Sequence, residues 1–129
     1  MNHFICIITA TAPMIDYHKI KKGFELLKKS KDEFVVSVTS FAYPIQRALA
    51  LNKNGNIFMI NKKNYNKRSQ DLMKCYHDAG QFYWGKADSF KKNKKILTSK
   101  SKPIFLERNK VMDIDTIQDW EFAKILYKI

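Results

Sequence analysis

Two aspartates separated by one residue, Asp113 and Asp115, are the plainest candidates for chemistry in this 129-residue chain. Residues two apart on a strand share a face, so at a strand end this pair would present both carboxylates together. Paired carboxylates suit a hard cation such as Mg²⁺, which takes oxygen ligands and bridges them to substrate phosphates. A second reading stands beside it on spacing alone: Asp115 or Thr116 caps the helix that follows, and Asp113 is solvated. Upstream, Arg68 and Gln70 lie in a polar stretch, where a guanidinium can grip a carboxylate in a bidentate pair. Next comes a dense polar run containing His77, Asp78, Gly80 and Gln81. Gly80 allows close backbone approach to a ligand, and the Gln81 amide can bond hydroxyl or acylamino groups. A lone His–Asp pair does not make a general base, and none is assigned to His77. Tyr83 and Trp84 alternate faces and read as core or pocket wall. Near the start, Thr11 sits in Ala10-Thr11-Ala12-Pro13, which is either a ligand-facing turn or an ordinary strand-to-helix connection.

These residues need a frame, and the pattern supplies one in which strand and helix alternate, an α/β layer structure. Phe4 to Ile8 is an apolar run of the kind found in strands covered on both faces. Asp16 opens a helix to about Lys29, with Ile20, Phe24 and Leu27 at helical spacing and Gly23 weakening it slightly. Phe34 to Val38 is a β-branched strand. Leu49–Leu51 and Ile57–Ile60 flank Asn52-Lys-Asn-Gly55, a hairpin signal. Gln81 to Trp84, Pro103 to Leu106 and Val111 to Ile114 read as further strands. Lys86 to Lys95 is a Lys-rich helix or loop, and Lys92 to Lys102 an exposed connection. A last helix starts at Thr116, whose Thr-x-x-Asp119 is a capping box, with Ile117, Trp120, Ala123 and Leu126 on its apolar side. No repeat or linker divides the chain, so one domain is expected over residues 1–129.

Composition bounds the partners. The net charge of +12 invites a nucleic-acid reading. Only Arg47, Arg68 and Arg108 among the 24 basic residues are arginine, however. The lysine-dominated remainder fits solvated outer faces, and the aromatics fall at core-like positions rather than interleaving with the charge. A basic nucleic-acid-binding module is therefore the weaker alternative. Cys6 and Cys75 show no zinc-type spacing and suit a reduced cytoplasmic setting. No apolar run reaches the roughly 18 residues of a membrane span. The opening apolar run lacks the charged flank of a signal peptide.

The stretch Arg68-Ser-Gln-Asp-Leu through His77-Asp-Ala-Gly-Gln-Phe-Tyr-Trp-Gly85, followed by Asp113-Ile-Asp-Thr and Asp119-Trp120, resembles the acylneuraminate cytidylyltransferase family. Its wording is nearest the branch that activates pseudaminic acid. The resemblance runs from Cys6 to Trp120 and departs at Met73, where the family commonly has proline. It implies a Rossmann-like nucleotidyltransferase fold with a mixed sheet and a reaction of CTP with a nine-carbon acidic sugar of pseudaminic or sialic type. The products are the CMP-sugar, for surface glycans, and pyrophosphate. It makes Asp113 and Asp115 the catalytic Mg²⁺ ligands and places Thr11, Arg68, Gln70, Asp78, Gly80 and Gln81 against the substrates. It also implies a homodimer, with residues 41–65 as the arm that packs on a second subunit. The family opens with a basic, glycine-containing CTP loop. The four glycines here, Gly23, Gly55, Gly80 and Gly85, leave no place for it. The expectation is thus the carboxy-terminal part of the enzyme, incomplete at the N-terminus. A noncatalytic remnant or split subunit is its alternative.

Overall fold

The computed structural model describes residues 3–128. In chain order its elements are β1 (Phe4–Ile8), α1 (Tyr17–Lys29), β2 (Phe34–Ser40), β3 (Leu49–Leu51), β4 (Ile57–Met59), β5 (Tyr76–Lys86), α2 (Ala87–Lys91), β6 (Ser101–Leu106) and α3 (Ile117–Tyr127). They form two compact units. The first runs to Thr39 and resumes at Asp78, and the second is Ser40–His77.

The first unit is α/β with a mixed four-stranded sheet in the order β1-β5-β2-β6. β1 runs antiparallel to β5, and β2 runs parallel to β6. α1 begins where Asp16 accepts the His18 amide through its side chain at 2.8 Å, satisfying a first-turn donor. Its inner side buries Leu27 completely, among Val35, Ala79, Phe82, Ile104 and Leu106. Burying one such side chain contributes roughly 1.5–3 kcal/mol. Gly23 does more than weaken this helix. A Cβ there would lie 2.9 Å from Trp84 Cδ1, so its absence lets α1 settle on the indole, whose Nε1 donates to the Ile20 carbonyl at 2.9 Å.

Three sequence expectations change. β1 is an edge strand, and Ile5, Ile7 and Ile8 remain 42–51% exposed instead of being covered on both faces. The segment 111–115 is not a strand; only the Ile114 amide bonds across, to the Thr11 carbonyl. On α3 the expected apolar side is largely open. Ala123 is buried, but Ile117 and Trp120 are exposed. The capping box itself forms as expected, with Thr116 Oγ1 and the Asp119 carboxylate each taking the other's backbone amide. β6 tolerates Pro103 because it is the opposite edge of the sheet.

In the second unit, β3 and β4 pair antiparallel, Leu51 opposite Ile57, as the Asn-Gly signal predicts. The connecting turn is held by Asn52, whose Oδ1 accepts the amides of Asn54 and Asn56 at 2.9 Å each, and Gly55 takes φ +79°. Leu49, Leu51, Ile57 and Phe58 of this ribbon are exposed.

Candidate active site

In the first unit the site is assembled around an irregularity in β5. Gly80 adopts φ +64°, a left-handed conformation that an L side chain resists. Its amide donates to Asp78 Oδ1 at 2.8 Å, folding the strand back on the Asp78 side chain. Nearby, the Ser37 hydroxyl oxygen accepts the amides of Gln81 and Phe82 at 3.3 and 3.1 Å. On a regular strand, positions 78 and 83 would point to opposite faces. The bend at Gly80 instead lets Tyr83 Oη donate to Asp78 Oδ2 at 2.7 Å. Burial pushes the Tyr83 phenol well above its ordinary range. The Asp78 hydrogen bond and the negative charges of Asp78 and Asp113 raise it further.

Asp113 reaches the same place from the other side. Its Oδ1 accepts the Thr11 hydroxyl at 2.6 Å, and its Oδ2 lies 3.6 Å from where a Cβ on Gly80 would stand. The Ile114 amide bonding to the Thr11 carbonyl at 3.2 Å ties the two backbones together. Thr11, Asp78, Gly80 and Asp113, all singled out from the sequence, therefore converge, with Tyr83, which the sequence gives as core or pocket wall, as a fifth member. Gln81 is close by but only 1% exposed, and its Nε2 donates to the Lys110 carbonyl at 2.6 Å, bracing the chain that leads to Asp113. Asp115 is exposed, and its amide donates to Asp119 Oδ2 at 3.2 Å. The Thr116 hydroxyl and then its amide hold the Asp119 carboxyl below its usual range.

Because 111–115 lacks strand geometry, periodicity does not place Asp113 and Asp115 side by side. Among the described residues no cluster of three or more metal-type side chains gathers. A site with at most two carboxylates fits Mg²⁺ in its usual mode, which leaves the remaining positions to water and substrate phosphate.

Arg68 and Gln70 belong to the second unit, at the short 3-10 turn Ser69–Asp71. Gln70 lines a cavity of about 380 Å³ together with Tyr43, Gln46, Lys74 and Cys75; Arg68 is exposed and is not part of its wall. Sequence reading missed Gln46. Its Nε2 donates to the Met73 carbonyl at 2.7 Å, a group that can only accept, which fixes the amide's orientation. Its Oε1 is buried with no hydrogen-bond partner among the described residues.

This is a mixed-sheet α/β protein in which Asp78 and Asp113 approach the bend of β5 at Gly80, with Thr11 from the turn after β1 holding Asp113. No protein-family model matches the chain. It is similar to part of several proteins named pseudaminic acid cytidylyltransferase. The protein of that name from Campylobacter jejuni subsp. jejuni serotype O:2 is 46% identical over 125 residues, covering 97% of this chain and 54% of the relative. The serotype O:23/36 protein is 45% identical over the same shares. A Helicobacter pylori protein, named as pseudaminic acid cytidylyltransferase and UDP-2,4-diacetamido-2,4,6-trideoxy-beta-L-altropyranose hydrolase, is 36% identical over 110 residues. That match covers 84% of this chain and 21% of the relative. The chain thus spans about half the length of the Campylobacter relatives it matches.

Proposed function

We propose that this chain is the sugar- and metal-binding portion of a CTP-dependent cytidylyltransferase of Rossmann-like fold. The enzyme joins CMP to a nine-carbon acidic sugar of the pseudaminic type and releases pyrophosphate. The convergence of Thr11, Asp78 and Asp113 on the bend at Gly80 carries this reading. A helix-cap role explains Asp119 and Thr116 but does not explain why Asp113 is held there. Asp113 and Asp115 would hold Mg²⁺, which when bound neutralises charge developing on the phosphates. Thr11 orients the Asp113 carboxylate. Gly80 keeps the approach to it free of a side chain, and Gln81 braces the backbone. Tyr83 donates to Asp78 and holds that carboxylate in place. Gln70 and Arg68 are assigned to the sugar, Arg68 to its carboxylate. A reaction consuming CTP belongs in the cytoplasm, and no helix among the described residues is long and apolar enough to cross a membrane.

The test combines the chain with a polypeptide covering the part of the Campylobacter relative outside the match, supplied with CTP, pseudaminic acid and Mg²⁺. Pyrophosphate should be released in proportion to both substrates. A folded chain that yields none under these conditions overturns the assignment.

The β3–β4 ribbon is proposed as a dimer arm. A two-stranded ribbon is marginal alone in water, and this one keeps Leu49, Leu51, Ile57 and Phe58 exposed. Light scattering should give a homodimer that Leu51→Lys weakens, and a monomer at high concentration would remove the arm from the proposal.

A further inference from the structure

We infer that Ser37, on β2, is a positioning residue of the site: its hydroxyl holds the bend in β5 that turns Asp78 toward Tyr83 and leaves the turn carrying Thr11 free to close. The effect on the reaction rests on the proposed function; the bend follows from backbone geometry alone. The β1–β5 register pairs Ile5 with Gly85 and Ile7 with Tyr83, and continued by two residues it sets Thr9 opposite Gln81. In a regular antiparallel ladder such a pair exchanges both of its backbone hydrogen bonds. Here only half of the exchange is made. Thr9 donates to the Gln81 carbonyl at 2.9 Å, but the Thr9 carbonyl accepts the Ala12 amide at 3.3 Å. The Gln81 amide has turned to the other neighbouring strand, where the Ser37 hydroxyl oxygen accepts it at 3.3 Å and the Phe82 amide at 3.1 Å. Consecutive amides of a straight strand point to opposite sides, whereas these two meet at one atom.

Two parts of the site depend on that turned amide. Without the Ser37 hydroxyl, the Gln81 amide would return to the Thr9 carbonyl and straighten β5 through Gly80. Asp78 would then swing to the face opposite Tyr83, because the two are an odd number of residues apart. The returning amide would also compete with Ala12 for the Thr9 carbonyl. That would open the turn from which the Thr11 hydroxyl reaches Asp113 at 2.6 Å. Ser37 is fully buried in a stretch of β2 that reads Phe-Val-Val-Ser-Val. A hydroxyl among such neighbours is costly unless it is hydrogen-bonded, and alanine would pack there without that cost. The bonds that justify a serine here are the two to β5. Bulges beside active sites re-aim side chains in this way.

The first test needs no variant. In amide exchange followed by NMR on the parent chain, Ala12, Gly80, Gln81 and Phe82 should exchange at least about 100-fold more slowly than free peptide. Rapid exchange at Gln81 overturns the inference, even should Ser37→Ala fail to fold. In Ser37→Ala, Ala12 and Gly80 should lose at least about tenfold of their protection, although neither bonds to Ser37. Unchanged exchange at both overturns the inference as well. In the complemented enzyme, Ser37→Ala should raise the half-saturating concentration of pseudaminic acid about tenfold and leave that of CTP within about twofold. Unfolding of a fraction of the molecules would lower kcat and move neither concentration. In an Asp78→Ala background the same substitution should alter the sugar value by less than about twofold, since the group it positions is already gone. A tenfold effect that persists there, or no effect of Asp78→Ala by itself, overturns the positioning role. A parent that releases no pyrophosphate retires the enzymatic reading, and exchange at Ala12 and Gly80 still decides whether Ser37 holds the bend.

Discussion

Replacing Gly85 by alanine should cost about 3 kcal/mol of stability, the upper end for overpacking a close-fitted core. A Cβ at this buried position would lie 2.4 Å from Phe90 Cε2 and 2.7 Å from Phe34 Cδ1. Neither ring is the free end of a flexible chain. The two stack edge-to-face with centroids 5.2 Å apart, and Phe34 is fully buried at the start of β2. A single methyl group must therefore move two aromatics or the strand itself. Thermal melts should show a drop of roughly 10 °C. Phe90→Leu in the same chain should recover part of it by removing the nearest atoms. A melting point within about 2 °C of the parent would show that these rings yield freely and that Gly85 is not a packing requirement.

Asp113→Asn should separate chemistry from fold. The asparagine carbonyl can still accept the Thr11 hydroxyl that Asp113 Oδ1 accepts at 2.6 Å, so the local geometry is kept while the charge is lost. Asp113 is exposed, and stability should change by less than about 0.5 kcal/mol. Cytidylyl transfer, measured as pyrophosphate release in the complemented enzyme, should fall on the order of 100-fold, because a neutral amide is a poor partner for Mg²⁺. That factor corresponds to about 2.7 kcal/mol of lost transition-state stabilisation. Raising Mg²⁺ should recover part of the rate if the loss lies in metal affinity. An unimpaired Asp113→Asn enzyme would remove this residue from the metal site and leave it only a tie between the chain after β6 and the turn after β1.

What the sequence discloses here depends on the range of the interaction that decides each feature. Asp16 and Thr116 announce their helices because a cap is settled within three or four residues, and both caps are made. Asn52 to Gly55 announces the ribbon for the same reason. The apolar run of β1 reveals a strand but cannot reveal its neighbours, since edge position is fixed by partners some eighty residues away. Val111 to Ile114 reads as a short strand yet finds no ladder, and only the Ile114 amide is held across. The Tyr83–Asp78 bond was hidden by parity. Alternation puts the two on opposite faces, and only the left-handed bend at Gly80 turns Asp78 toward the phenol. Gly23 reads as a weak spot by helix propensity, whereas what sets its worth is an indole on another element. The His77–Gly85 wording carried the homology at once, since residue identity there needs no geometry to be compared.

The second unit has a kinetic consequence. It leaves the sheet after β2 and returns as β5, and these two strands are neighbours. Its own pairing, Leu51 with Ile57, closes a very short loop, an event of microseconds for a hairpin. The sheet has no such shortcut. Phe4 must find Lys86, and Phe34 must find Ser101, across long stretches of chain. Non-local pairings of this kind slow folding, because loop entropy is lost before any ladder forms. That entropy grows only with the logarithm of loop length, so lengthening or trimming the excursion between β2 and β5 alters the cost of closing the sheet very little. Refolding speed should accordingly be set by the sheet, and the segment between Ser40 and His77 is where the chain can change length with least effect on it.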